Sequence, residues 1–413
     1  MSKIDDLISK MCPDGVEFKK LGEFSLLSNT GVDKKLLPNE SEVSLLNYLD
    51  ICRNKKISSG NLSAITTASS KKIAECSLLK GDVFITPSSE TRDDLANAAE
   101  IIADIPNAVY SYHILRIRLN DLNEMNPTFI VHLFASRFVQ EQIITLSTGM
   151  TRYGLTKPKW ESLKFPTPPL EIQKEIVAIL DKFTELEAEL EAELEARKKQ
   201  YESYRDGLLT SSSSGVETSL GSCLQNIERI NWNFTADKVF EYIDLSSVDR
   251  ELQMISETTS ISKKNAPSRA QQIVLENDVL FGTTRPTLKR LVFITAKNNG
   301  YIASTGFCVL RPNTEIIYQR FLFHILNSSN FQQYVETNQE GASYPSISDG
   351  AVKSFKFRLP NISEQVEIAN ILDQFSSLIM NVSIGLPAEI KARRQQYEYY
   401  RNKLLTFKEL DVV

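Results

Sequence analysis

Hydrophobic positions keep helical spacing through one long central stretch of this chain. Between Pro168 and Thr210, apolar or amphipathic residues fall at Ile172, Ile176, Ile179, Phe183, Leu186, Leu190, Leu194, Arg197, Tyr201, Tyr204 and Leu208. Steps of three and four predict a single amphipathic helix with a seam of coiled-coil type. Glutamates stand at 185, 187, 189, 191, 193 and 195, and Arg197, Lys198, Lys199 and Arg205 follow them. Acid early and base late suits the helix dipole. Gly207 and the serines at 211–214 mark the predicted end.

The pattern returns near the C-terminus. Leu180-Asp181-Lys182-Phe183 matches Leu372-Asp373-Gln374-Phe375, 192 positions later. Ala196-Arg197-Lys198-Lys199-Gln200-Tyr201-Glu202 matches Ala392-Arg393-Arg394-Gln395-Gln396-Tyr397-Glu398, 196 positions later. The second copy therefore holds four extra residues, around Gly385-Leu386-Pro387. Four residues are about one turn, so the seam stays in phase. Gly and Pro there predict a break or kink. The expected pairing residues are Leu186, Leu190, Leu194, Tyr201, Tyr204 and Leu208 on the first helix, and Ile390, Tyr397, Tyr400 and Leu404 on the second.

The segments ahead of each helix also repeat. Residues 1–20 read as a helical lead-in, with Lys19-Lys20-Leu21-Gly22 opening the first globule. Positions 43–51 and 110–118 read as strands, 76–87 as a turn plus strand, 127–144 as helix, 149–159 as a polar turn and 163–166 as a short strand. Tyr48-Leu49-Asp50 answers to Tyr242-Ile243-Asp244, and Gly81-Asp82-Val83-Phe84 to Asn277-Asp278-Val279-Leu280. His113-Ile114-Leu115-Arg116 answers to Cys308-Val309-Leu310-Arg311, and 129–134 to 321–326. Gly149 answers to Gly341, and Lys164-Phe165 to Lys356-Phe357. Ordered anchors at near-constant offset imply a module written twice. The expected fold is α+β: two pseudo-symmetric globules joined by two long antiparallel coiled-coil helices, with boundaries at 1–167, 168–210, 211–360 and 361–413. From Thr184 to Leu209 is 26 residues, or about 39 Å of helix, close to the ~34–36 Å of one turn of B-DNA.

Composition narrows the class. The chain has 413 residues, 42% hydrophobic and 24% charged, with a net charge of −5. That balance is ordinary for a globular protein and argues against retention on nucleic acid by overall charge alone. No apolar run reaches the ~20 residues of a membrane helix, and the N-terminus lacks a signal-peptide core. Cysteines 12, 52, 76, 223 and 308 are scattered, without metal-ligand spacing, which suggests reduced thiols and a cytoplasmic location.

Two variable globules, each followed by a helix of the type PPLEIQKEIVAILDKF…ARKKQYESYRDGLL or PNISEQVEIANILDQF…ARRQQYEYYRNKLL, resemble the specificity subunit of type I restriction-modification systems. The resemblance covers about residues 5–410. It implies that each globule is a target-recognition domain reading one half of a bipartite site in double-stranded DNA. It also implies that the helices space the halves and dock two methylase subunits, with a restriction-translocase subunit completing the nuclease. It implies no catalytic residue, no metal and no cofactor in this chain. The family's DNA contacts vary with the target, so none transfers by motif.

Candidate DNA contacts therefore come from local chemistry. Thr283, Thr284, Arg285, Lys289 and Arg290 lie on a loop after the strand at 278–282. Arginine can grip guanine O6 and N7, and lysine and threonine can hold phosphate. The equivalent loop in the first globule offers Thr86, Ser88 and Arg92. Matching glycine turns carry Thr151, Arg152 and Tyr153 in one globule and Ser343 and Tyr344 in the other. Lys55-Lys56, Lys71-Lys72 and Lys263-Lys264 are candidate phosphate clamps, or else solvated surface. Asn126-Pro127-Thr128-Phe129 lacks the second proline of an adenine-methylase tetrapeptide and reads as a helix start. His132 and His324 are repeat equivalents on apolar helices and read as core or helix-surface residues. Two alternatives stand beside the recognition reading: a single-chain DNA methyltransferase or nuclease, and a coiled-coil adaptor whose globules bind protein.

Overall fold

The computed structural model of the chain describes residues 3–33, 35–210, 215–235, 238–380 and 385–410. Contacts divide it into two units: Met1–Ala188 with Ala392–Val413, and Glu189–Lys391. Each contains one globule, a half of the central helix Leu170–Thr210, and the part of the C-terminal helices packed beside it.

Unit 1 holds a five-stranded sheet in the order Ser25–Ser28, Leu115–Leu119, Val83–Ile85, Ala98–Ile101, Lys56–Ile57. A three-stranded sheet, Ala64–Ala68, Ser41–Leu46, Ala108–Tyr110, shares an apolar cluster with it that includes Ile57, Phe84, Ala99 and Ile101 of the larger sheet. The strand pair Phe18–Lys20 and Lys164–Pro166 closes the globule. Unit 2 repeats the plan with two four-stranded sheets. One runs Leu224–Gln225, Phe307–Pro312, Val279–Gly282, Leu291–Phe293, and the other Thr259–Ile261, Phe240–Ile243, Ile302–Ser304, Ala270–Ile273. Val216–Ser219 with Lys356–Leu359 closes it. The expected Lys164-Phe165 and Lys356-Phe357 equivalence thus falls on the same closing strand.

Several expected elements need correction. The strand read over 43–51 stops at Leu46. Asn47 accepts hydrogen bonds from the backbone of Leu49 (2.8 Å) and Asp50 (3.3 Å) and starts the helix Tyr48–Arg53. Asn is a strong helix cap, and it outranks the apolar run that follows. Tyr48 is therefore helical while Tyr242 lies in a strand, so these two are not equivalents. The strand read over 110–118 is two strands in different sheets. The helix read over 127–144 is Pro127–Phe134 and Arg137–Leu146, broken at Ser136, whose side chain caps the second. Ser328 makes the same break between Gln319–Asn327 and Ser329–Asn338.

The anchor at Arg116 is also two residues out. Arg116 faces Phe84 and Ile117 faces Val83, whereas Val309 faces Leu280 and Leu310 faces Val279. Arg118 is therefore the counterpart of Arg311. Both make the same bidentate grip on a buried aspartate, Arg118 on Asp82 (2.6 Å twice) and Arg311 on Asp278 (3.0 and 2.9 Å). A slip of two leaves every side chain on its own face, so alternation cannot detect it. The Gly81–Asn277 anchor holds, and both residues have positive φ.

The helical seam is shared between jobs. Ile172, Ile176 and Leu180 are fully buried in the core of unit 1, and Ile368, Ala369 and Leu372 serve unit 2 in the same way. Helix pairing occupies the stretches beyond. In unit 1, Phe183 stacks on Tyr400 (5.5 Å) and approaches Tyr397 (6.3 Å), and Glu187 accepts from Arg394 (2.6 Å). The partner number falls as the central helix advances, so the pairing is antiparallel. In unit 2, Tyr204 meets Phe375 (5.4 Å), and Leu386 and Leu378 share a groove with Glu193 and Arg197. Tyr201, Ile390, Tyr397 and Leu404 are buried; Leu190, Leu194, Leu208 and Tyr400 are half-buried. Leu186 and Tyr204 are exposed, and Leu209 takes the buried place next to Leu208. Pro387 lies in the first turn of Gly385–Leu404, where its missing N–H costs nothing. The kink expected around Gly385-Leu386-Pro387 is not inside a helix, because these residues begin the helix Gly385–Leu404 after the previous one ends at Met380; residues 381–384 and the serines at 211–214 lie outside the described residues.

Candidate nucleic-acid interface

In unit 1 the strand Val83–Ile85 runs out into the first candidate loop. Thr86 is fully buried, and its hydroxyl accepts from the backbone N–H of Asn97 (3.0 Å). Beyond it, Ser88–Ser89 pairs antiparallel with Tyr153–Gly154. This short ladder joins the two loops that the sequence singled out separately. Arg152 donates from Nε to the Ser88 hydroxyl (3.0 Å), and the Arg92 guanidinium sits over the Tyr153 ring at 5.0 Å. Thr151 and Arg92 are exposed. Gly149 permits the turn: its φ is +142°, and a Cβ there would lie 1.9 Å from the Arg152 carbonyl.

Unit 2 builds the same junction from different residues. Thr283 is buried, donating its hydroxyl to the Gly306 carbonyl (2.9 Å), and its own carbonyl accepts from Ile347 (3.0 Å). Thr284 bridges to Ser346. The Arg285 N–H donates to the Pro345 carbonyl (2.7 Å), and its guanidinium lies over the Tyr344 ring at 4.6 Å. Ser343 and Tyr344 are exposed, as is Lys289. Arg285 and Lys289 both adopt left-handed backbone conformations, φ 48° and 53°, which side chains other than Gly and Asn seldom take. Arg290 is half-buried. Burial, together with Arg250 and Arg285, pushes its guanidinium below the usual arginine range.

The structure thus brings the candidate residues of each unit onto one surface, except Thr86 and Thr283, which hold backbone beneath it. Arg250 is the member the sequence reading missed. It lies in the turn between the paired strands Val248–Asp249 and Met254–Ile255, and a lone arginine in such a turn carries no sequence signal of its own.

The lysine pairs lie elsewhere. Lys55 bonds the Tyr397 hydroxyl (3.1 Å) and Lys56 bonds Asp181 (2.7 Å), so both are held on the helices. Lys72 donates to the Thr30 carbonyl and Lys263 to that of Asn233. Lys71 is exposed, 3.9 Å from Glu75.

Asn126 caps its helix through Phe129 (3.2 Å), with Pro127 at the first position. The paired histidines are structural. His132 Nε2 bonds Asp181 (3.1 Å), and the Tyr397 hydroxyl bonds its Nδ1 (3.3 Å). His324 Nε2 bonds Asp373 (2.7 Å), which Arg320 also grips. Burial pushes both imidazoles below their ordinary value. Burial raises the Asp373 carboxyl, but His324 and Arg320 outweigh it and hold the group at about 2. Among the described residues no cluster of three or more His, Cys, Asp or Glu is placed to hold a metal, and no helix is long and apolar enough to cross a membrane.

With this geometry in hand, comparison with known proteins is decisive. The family model for the type I restriction modification DNA specificity domain matches residues 13–196 and again 230–392. The chain belongs to that family. The matched stretch spans 62% of the length of the first of the curated relatives described next. The specificity subunit of the type I restriction enzyme EcoR124I/EcoR124II of Escherichia coli is 33% identical over 261 residues, 60% of this chain and 62% of that one. A Haemophilus influenzae protein named as a type I restriction enzyme specificity subunit is 28% identical over 302 residues, 70% of this chain and 74% of that one. A chain from a structure of a type I R-M system, solved to show complex assembly and conformational transition, shares the fold. Its TM-score is 0.63 at 15% identity, covering 95% of this chain and 98% of that chain.

Proposed function

We propose that this chain acts as a specificity subunit: it reads a bipartite, non-palindromic target in double-stranded DNA, one half-site per globule, and scaffolds two methylase subunits and a restriction-translocase subunit in the cytoplasm. The observation that carries the reading is the junction built twice, in which a polar loop and a glycine turn are zipped together and an exposed arginine lies on a tyrosine. Unlike residues on like scaffolds favour unlike half-sites. The junction of unit 2, with Arg250, Arg285, Lys289 and Arg290, is basic; that of unit 1 carries Glu90, Asp93 and Asp94 beside its arginines. The boundaries 1–167, 168–210, 211–360 and 361–413 describe the recognition and helical segments under this reading, and the residues 184–209 set the gap.

The test is co-expression with the neighbouring methylase, followed by sequencing of the methylated DNA. Two unlike half-motifs separated by unspecified bases are expected. A continuous or palindromic motif contradicts the reading. Methyl-donor binding by the chain alone would favour a methyltransferase instead, and capture of a protein by the globules without DNA would favour an adaptor.

A further inference from the structure

One feature recurs in both junctions although the sequences around it differ. In each unit an exposed arginine is held over the tyrosine of the glycine turn, Arg92 over Tyr153 and Arg285 over Tyr344. Three other arginines of these units are engaged, whereas Arg250 and Arg290 contribute charge near Arg285. Arg152 bonds Ser88, while Arg118 and Arg311 grip aspartates. Among the described residues neither Arg92 nor Arg285 forms a salt bridge.

We propose that Arg92 and Arg285 each read the major-groove edge of one guanine, so that each half-site carries one obligatory G·C pair imposed by its own arginine. The proposal rests on the DNA-recognition reading above and goes beyond it by assigning one base pair in each half to one side chain.

Three arguments carry it. The first is chemical. A guanidinium lying over an aromatic ring keeps its planar fork of N–H donors at the ring's edge while losing much of its torsional freedom. Such a fork matches the O6 and N7 acceptors of guanine, and orienting it in advance favours a directional ligand. A phosphate needs only charge nearby, which a mobile lysine provides.

The second argument is electrostatic. Arg92 is followed by Asp93 and Asp94 and preceded by Glu90, all exposed. Three carboxylates on the same short loop make it a poor place for a phosphate, whereas a neutral base edge is tolerated. The third is conformational. Arg285 occupies a left-handed backbone position (φ 48°, ψ 59°) that glycine or asparagine would adopt more easily. It is pinned there by the bond from its N–H to Pro345. Strained non-glycine positions concentrate at binding sites. Arg250 and Arg290 add positive charge close by, which draws the duplex in without choosing a base.

The test uses the full chain with its methylase, comparing wild type with R92Q, R285Q, R285K, Y344F and Y344A by methylome mapping and by binding to duplexes substituted at each position. R285Q is expected to keep the gap and the other half-site, while relaxing a single G·C position by on the order of 10- to 100-fold in discrimination. R92Q is expected to do the same in the other half. R285K retains charge without the fork and is expected to relax the same position. Y344F preserves the motif, and Y344A weakens the position that R285Q relaxes. An unchanged motif in R285Q overturns the proposal. So does a uniform loss across all sequences with a salt slope shallower by about one, the signature of a phosphate contact. A wild-type chain that directs no bipartite methylation would instead overturn the recognition reading itself.

Discussion

At the scale of single residues, hydroxyl groups with the same sequence promise divide into two kinds. Ser343 and Thr151 stand in solvent, while Thr86 and Thr283 are buried under the surface they were expected to form. Thr86→Val would leave the Asn97 N–H buried and unpaired, an effect of about 1–3 kcal/mol. We expect a lower urea midpoint with an unchanged methylation motif; a changed motif would mean that Thr86 touches DNA. The histidines make a pH prediction. His132 and His324 are depressed below the ordinary imidazole value in the folded state, by burial first. The unfolded chain therefore binds more protons just below its own pKa of 6.5, and stability falls as pH drops from there toward the folded values. The His132→Gln, His324→Gln double variant should lose this part of the slope. Equal slopes in urea unfolding between about pH 6.5 and 5 would refute it. These histidines were legible as structural because nothing at ligand spacing accompanied them. Their aspartate partners were visible only as part of the repeated Leu-Asp-x-Phe motif, since His132 and Asp181 are 49 positions apart.

At the scale of elements, local signals worked where one force dominated and failed where two competed. The central helix was readable because its apolar period persists over 41 residues. The break at Ser136 was not, because apolar residues continue across it at helical spacing and only the cap marks the restart. Buried Gln173 and Gln365 were missed for a related reason. Each accepts from one backbone N–H, of Asn126 and Tyr318, and donates to the carbonyls that precede two helix starts, Glu124 and Pro168 in one unit and Ile316 and Pro360 in the other. A glutamine on a helix looks solvated until its partners, nearly fifty residues away, are in place. The helices also bear on spacing. Inserting four residues after Ala188, with a matching four after Lys391, should preserve the seam and widen the gap by one to two base pairs, roughly 6 Å of helix. Methylome mapping that returns the original gap would remove the helix from this role.

At the scale of the whole molecule, duplication is the organising fact. Replacing the loop 283–290 with that of a relative of different specificity should change one half-site and leave the other untouched, because the loop's bridge and hydrogen-bond partners at 306, 345, 346 and 347 belong to unit 2. A change in both halves, read from the methylated motif, would contradict that assignment. The sequence by itself determined the repeat and the helices, since periodicity and near-constant offsets are properties of the chain read linearly, and the resemblance of its helical segments to a known family implied the recognition class. Only the tertiary structure decided which arginine lies on which tyrosine, which threonines sink beneath the surface, and that Arg118 rather than Arg116 answers Arg311. Those outcomes depend on strand register and on contacts between segments tens of residues apart, and a pattern with period two is blind to a shift of two.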